Sequence, residues 1–133
     1  MRICGVLVRL VEKYGELIHS WSISDFDRDG PNLRFRGQVT FYDHTVLFIR
    51  QVVLGEVTFK YAYHWQDREG NLICRWDNSA HWPEIATYPH HKHVVFKNEI
   101  VVKESRGGNL DQVFEEITTI IRTQKQPTDE STI

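Results

Sequence analysis

The sequence predicts an α+β fold: an antiparallel sheet of about five to seven strands, with N-terminal and C-terminal helices packed on one face. Three observations predict it. Apolar residues recur at three- and four-residue spacing near each end of the chain, the repeat of an amphipathic helix. Between them the apolar period falls to two, the repeat of a half-buried strand. Clusters of Gly, Asp and Asn interrupt that middle region at intervals that suit hairpins rather than crossover helices.

The elements follow in order. Ile3, Val6, Leu7, Leu10, Val11 and Tyr14 form one helical stripe, with Arg9, Glu12 and Lys13 off it and Gly15 as a stop signal. Residues 18–26 read as a strand and D-R-D-G-P-N as a turn. In 33–42, Leu33, Phe35, Val39 and Phe41 share one face, while Arg34, Arg36, Gln38 and Thr40 share the other. Y-D-H-T turns the chain into 46–54, which is apolar on both faces, as a central strand would be. Val57, Phe59, Tyr61, Tyr63 and Trp65 then alternate with Thr58, Lys60, Ala62, His64 and Gln66. D-R-E-G-N is a turn, and L-I-C-R-W-D is the next strand. Residues 78–93 hold two prolines and no period, and read as a long loop. V-V-F-K-N-E-I-V-V-K adds a strand pair around Asn98. After Gly107-Gly108, Asn109 with Gln112 resembles a capping box. Leu110, Val113, Phe114, Ile117, Ile120 and Ile121 make the second helical stripe. One domain is expected over 1–123, with a polar tail over 124–133.

The bulk properties narrow the class. With 41% hydrophobic and 26% charged residues in 133, the chain can build a core and is too apolar for a disordered segment. A formal net charge of -2 argues against a generally cationic surface but permits a local basic patch. Cys4 and Cys74 are too few for a Cys-rich zinc site and suit a reducing compartment, although a disulfide between them is conceivable. The apolar N-terminal run is broken at Arg9, too soon for a signal peptide or a membrane span. A cytoplasmic protein that does not contact membranes is therefore expected, with homo-oligomerisation left open. D-F-D-R-D-G (25–30) looks like the start of a calcium loop, but Arg36 stands where the bidentate Glu is needed, so it reads as a turn.

Register then places polar groups. The apolar positions are odd in 57–66 and even in 72–77, so burying both sets on one face demands odd–even pairing. That brings Arg75 and Asp77 onto the same face as Lys60 and His64, with His64 opposite Arg75 in one of two registers. The loop carrying His81, His90, His91 and His93 starts beside this face.

Several chemistries suit this set. Metal-free RNA cleavage needs a base, an acid and cations for the phosphate. His64, His81, His91 and His93 can supply the first two, and Arg75, Lys60 and Lys92 the third, with Asp77 orienting a histidine or Arg75. A metal site is the second reading: in an extended chain His91 and His93 point the same way, and Asp77 or His81 can complete a three-ligand set. H-x-H alone is a weak signal, and the sequence reading assigns neither a metal nor a cofactor. Binding of nucleic acid without chemistry is the third. Parity buries Trp65 and Trp76, leaving Trp82 and Tyr88 to stack on bases. Against all three stands a satisfied polar network with no function.

Three blocks of this stretch resemble the TumE family, small toxins of bacterial and archaeal toxin–antitoxin pairs. They are Y-A-Y-H-W-Q-D, I-C-R-W-D-N-S-A-H and T-Y-P-H-H-K-H-V. Tyr63, His64, Arg75, Asp77, Asn78, His81, Pro89, His90, His91, Lys92 and His93 follow the family pattern, which departs at Ala80, where many members have Pro. The resemblance covers residues 57–95. It implies a cytoplasmic toxin with an antitoxin partner, one that carries a DNA-binding domain, and it supplies no mechanism. Together the residues and the resemblance lead to the expectation of a metal-independent endoribonuclease acting on RNA. The alternatives are a non-catalytic nucleic-acid- or protein-binding module and a metal-dependent hydrolase.

Overall fold

A computed structural model describes residues 3–55 and 58–124. Val57, the tail beyond Gln124, and the side chains of Ile3, Cys4 and Thr58 lie outside what is described. The elements run α1 (Ile3–Lys13), a short 3-10 turn (Gly15–Leu17), β1 (Ile18–Asp29), β2 (Asn32–Phe41), β3 (Val46–Leu54), β4 (Thr58–Gln66), β5 (Leu72–Asp77), β6 (His91–Phe96), β7 (Glu99–Glu104) and α2 (Leu110–Gln124). The seven strands form one antiparallel meander in sequence order, with helices at both ends of the chain, as the patterning predicts.

Alternation decides what each sheet face does. Leu33, Phe35, Val39 and Phe41 of β2, Leu47 and Ile49 of β3, Tyr61, Tyr63 and Trp65 of β4, and Cys74 and Trp76 of β5 join one core. Leu7, Leu10 and Tyr14 of α1 and Leu110, Val113, Phe114, Ile117 and Ile121 of α2 close over it. Burying a side chain of this size contributes about 1.5–3 kcal/mol, so the apolar face decides the register. The two helices are also tied together: Tyr14 stacks on Phe114 at 6.0 Å, and Arg9 forms a bidentate pair with Asp111.

Four details depart from the sequence reading. The loop ends at His90, because His91–Phe96 is strand β6, paired to β5. The strand 46–54 buries one face only: Phe48 and Leu54 on the other are 39% and 51% exposed. Ile120 sits off the buried stripe of α2, at 39% exposure. Asn109 does cap α2, but through the Asp111 N–H at 2.7 Å, the second helical position rather than the third that a capping box uses. The acidic 25–29 run lies in the β1–β2 hairpin, where Arg34 pairs with Asp25 and Asp27. Cys74 is a free, buried thiol, and burial pushes it up to about 12.

Candidate functional site

The face of the sheet away from the helices carries the polar residues. Their order comes directly from the register. Arg36 pairs with Arg50, Arg50 with Ala62, Ala62 with Asp77, and Asp77 with His91. The neighbouring row runs Phe48, His64, Arg75, His93. His64 therefore lies opposite Arg75, one of the two registers that parity allowed.

Asp77 is the hub. It is 6% exposed, a depth at which a carboxylate must be fully partnered. Oδ1 accepts the Ser79 N–H at 3.0 Å and the Ser79 hydroxyl at 2.8 Å. Oδ2 accepts the Arg75 Nε–H at 3.3 Å. Burial acts to raise its pKa, but the two Ser79 bonds, with the positive groups nearby, outweigh this and hold the carboxyl below its ordinary value.

Two histidines meet this carboxylate from β6. His91 Nε2 lies 2.9 Å from Oδ1, and His93 Nε2 lies 3.5 Å from Oδ2. The rings pack edge to face at 5.0 Å, and the edge of Trp82 approaches both, at 6.5 and 6.4 Å. His91 is 1% exposed, whereas the side chain of His93 keeps 21%. Burial lowers the His93 pKa first, with His91 and Arg75 adding to the effect; Asp77 opposes it and does not prevail. His64 is lowered as well, by burial and then by Arg75, whose Nη1 stands 3.5 Å from His64 Nδ1. Both rings therefore favour the neutral form near pH 7.

A cleft of about 1060 Å³ opens above this cluster. Arg50, Lys60 and Arg75 line it, as do His81, Trp82 and His93. Ala62 stands in the middle of the polar row, between Arg50 and Asp77, and its small side chain leaves the space open. Asn78 holds the start of the loop against the edge of β4, accepting the Tyr61 N–H at 3.1 Å and donating to the Phe59 carbonyl at 2.7 Å.

The cluster gathers Arg75, Asp77, His91 and His93, with His64 beside Arg75. Lys60, His81 and Trp82 border the same cleft. Lys92 and Tyr88 do not join them. Lys92 has the opposite parity and reaches Glu116 of α2 at 3.1 Å, and Tyr88 is an exposed loop residue away from the cleft. Sequence reasoning missed Arg50, although even parity in 46–54 was enough to find it. It also missed Ser79, for which only a hydroxyl two residues after an Asp gave a signal. His90 binds inward: its Nδ1 is 2.7 Å from the Tyr61 hydroxyl, and its ring stacks on Tyr61, anchoring the loop just before β6.

Chemically, the cleft offers cations for an anion, an aromatic edge, a neutral imidazole and a fixed carboxylate. Among the described residues no helix is long and apolar enough to cross a membrane. In a comparison with protein families, the model of the family described as Toxin TumE matches residues 7–125. No curated protein and no solved structure matches the chain.

Proposed function

Because this chain belongs to the TumE toxin family, and so is the toxin of a toxin–antitoxin pair, we propose that it is an endoribonuclease that cleaves an RNA strand in the cleft beside Asp77. One observation carries the reading: a histidine held neutral faces the same cleft as three cationic side chains, Arg50, Lys60 and Arg75.

The reaction is attack of the ribose 2′-hydroxyl on the adjacent phosphorus. The bond to the 5′-oxygen breaks, leaving a 2′,3′-cyclic phosphate and a 5′-hydroxyl. His93, neutral, accepts the 2′-hydroxyl proton. His81, which also lines the cleft, returns a proton to the departing oxygen. Arg75, Lys60 and Arg50 offset the charge that builds on the phosphate. Trp82 offers a surface for an unpaired base. Asp77 and His64 position Arg75, and Asp77 also orients His93.

The test is RNA cleavage by purified protein followed on a gel. Wild type should give fragments ending in cyclic phosphate. His93→Ala should lower the rate about 10²–10⁴-fold, the usual contribution of a general base, with unchanged melting, and Arg75→Ala about 10²–10³-fold, with a lower melting point because Asp77 Oδ2 loses its partner. RNA that stays whole in every lane yet shifts in mobility would replace the enzyme reading with that of a binding module.

A further inference from the structure

We propose that Asp77, His91 and His93 form a binding site for a divalent transition-metal ion. This reverses the expectation of a metal-free centre. Where it concerns catalysis it deepens the ribonuclease reading and rests on it; as a statement about binding it stands alone.

The argument starts from the least accessible ring. His91 Nδ1 lies 3.0 Å from the Pro89 carbonyl oxygen. A carbonyl only accepts, so Nδ1 must carry the proton, and in a neutral ring Nε2 is then a bare lone pair. That Nε2 is fully buried and has no aligned hydrogen-bond partner among the described residues. The short separation from Asp77 Oδ1, 2.9 Å, does not supply one, because the oxygen lies off the axis of the ring nitrogen. A neutral imidazole with its lone pair close to a carboxylate oxygen is unfavourable on its own. Both atoms are acceptors, and a cation between them removes that repulsion and gives Nε2 the partner it lacks.

The geometry matches that resolution. The donor atoms of Asp77, His91 and His93 all lie within 4.8 Å of one another. A tetrahedral ion with ligands at 2.0–2.1 Å places its donors about 3.3 Å apart. His91 Nε2 stands 2.9 Å from one Asp77 oxygen and His93 Nε2 stands 3.5 Å from the other, distances of that order. Two histidines and one carboxylate leave further coordination positions free, as open metal sites do. The outer support is also present. A ligating histidine usually donates its other nitrogen to a carbonyl or carboxylate, which fixes its tautomer, and Pro89 does this for His91. Ser79 fixes Asp77 with two hydrogen bonds, and Trp82 packs against both rings. His93 faces the cleft, so the free positions open toward the place assigned to RNA.

Arg75 is the opposing charge, because its Nε–H binds Asp77 Oδ2. An ion on that carboxylate weakens this bond and frees the guanidinium to turn to a phosphate. With the ion bound, His93 would hold it, and the ion would supply the basic group that the free ring supplies in its absence.

The test uses the full chain, stripped with chelator and dialysed, then titrated with Zn²⁺ by calorimetry and with Co²⁺ by visible absorbance. One ion should bind per chain at about 1 μM or tighter, and Co²⁺ should show the absorption bands of a nitrogen- and oxygen-ligated site. His93→Ala is the primary variant, because its partly exposed side chain can be lost without opening the core. It should fold normally and bind each ion at least about 100-fold more weakly. Asp77→Asn should do the same, whereas Arg75→Gln should bind the ions more tightly. Equal affinity in wild type and His93→Ala, or no binding up to about 1 mM, overturns the proposal. The two readings fail separately. Tight binding with uncut RNA removes the ribonuclease and keeps the site. RNA cleavage at full rate by a protein that binds neither ion up to about 1 mM removes the site and keeps the ribonuclease.

Discussion

The two faces of β4 and β5 are made by alternate residues of the same strands, yet they are held by different physics. On the helix side, Tyr63, Trp65 and Trp76 are each no more than 1% exposed, packed among aromatic and aliphatic neighbours. On the open side, Lys60, His64, Arg75 and Asp77 are arranged around charges, with a cleft above them. The core face sets the register and the polar face inherits it, since a slip of one residue would turn His64 and Arg75 into the core. Precise placement of the polar groups therefore costs little extra sequence: the packing of Trp65 and Trp76 also aligns His64 with Arg75.

That contrast can be broken from either side. The largest expected effect is on the packed face. Trp76→Ala removes a buried indole and its 3.3 Å bond to Glu116. It should cost about 3–5 kcal/mol of stability, read from the midpoint of urea unfolding, and lower RNA cleavage only as far as it unfolds the protein. Activity lost from a variant that remained fully folded would show that the two faces are coupled more closely than by register.

A smaller effect belongs to the open face and to pH. The lowered pKa values of His64 and His93 mean that each folded ring binds fewer protons than its unfolded counterpart below the ordinary histidine value. Stability should therefore rise as pH increases from about 5 toward 6.5 and level off above that range. His93 faces Asp77, His91 and Arg75, and His64 faces Arg75. Asp77, whose pKa is also lowered, acts in the same direction at lower pH: its stabilisation is complete above the ordinary carboxylate value and is lost as it protonates in acid. Unfolding midpoints measured across this range should rise less in a His64→Gln, His93→Gln double variant. An unchanged slope in that variant would assign the pH dependence to histidines elsewhere.

The smallest effect is expected for Arg34→Ala. This arginine pairs with Asp25 and Asp27 on an exposed hairpin, with 53% of its side chain accessible. Such pairs are worth about 0–1 kcal/mol, and Arg34 lies away from the cleft lining. Stability should change within that range and RNA cleavage should stay at the wild-type rate. A large loss of cleavage would extend the RNA track well beyond the cleft.

Much of this was legible in the sequence, because apolar periodicity is read from local spacing. The alternation of Phe59, Tyr61, Tyr63 and Trp65 against Leu72, Cys74 and Trp76 was enough to place His64 and Arg75 on one face, and left two registers of which the structure has the one that sets them opposite. Val94–Phe96 was read as strand, but the start of that strand, His91–His93, was not legible. Its first three residues are polar, and it is strand because Asp77, Trp76, Arg75 and Cys74 offer it backbone partners, a non-local pairing that no local period records. Lys92 was misplaced for the same reason: once β6 is a strand, the residue between His91 and His93 must point toward α2. Nor could spacing show that His91 Nδ1 meets the Pro89 carbonyl, the contact that makes its other nitrogen a candidate ligand.

The central claim is that the cleft on the open face is where the toxin acts, and Ala62 tests it most directly. Ala62→Leu puts a larger apolar side chain between Arg50 and Asp77 while leaving every proposed catalytic side chain in the sequence. The account predicts a folded protein whose RNA cleavage falls at least about 100-fold, the scale of loss when reacting groups are displaced by an ångström. Cleavage at the wild-type rate by that variant would contradict it.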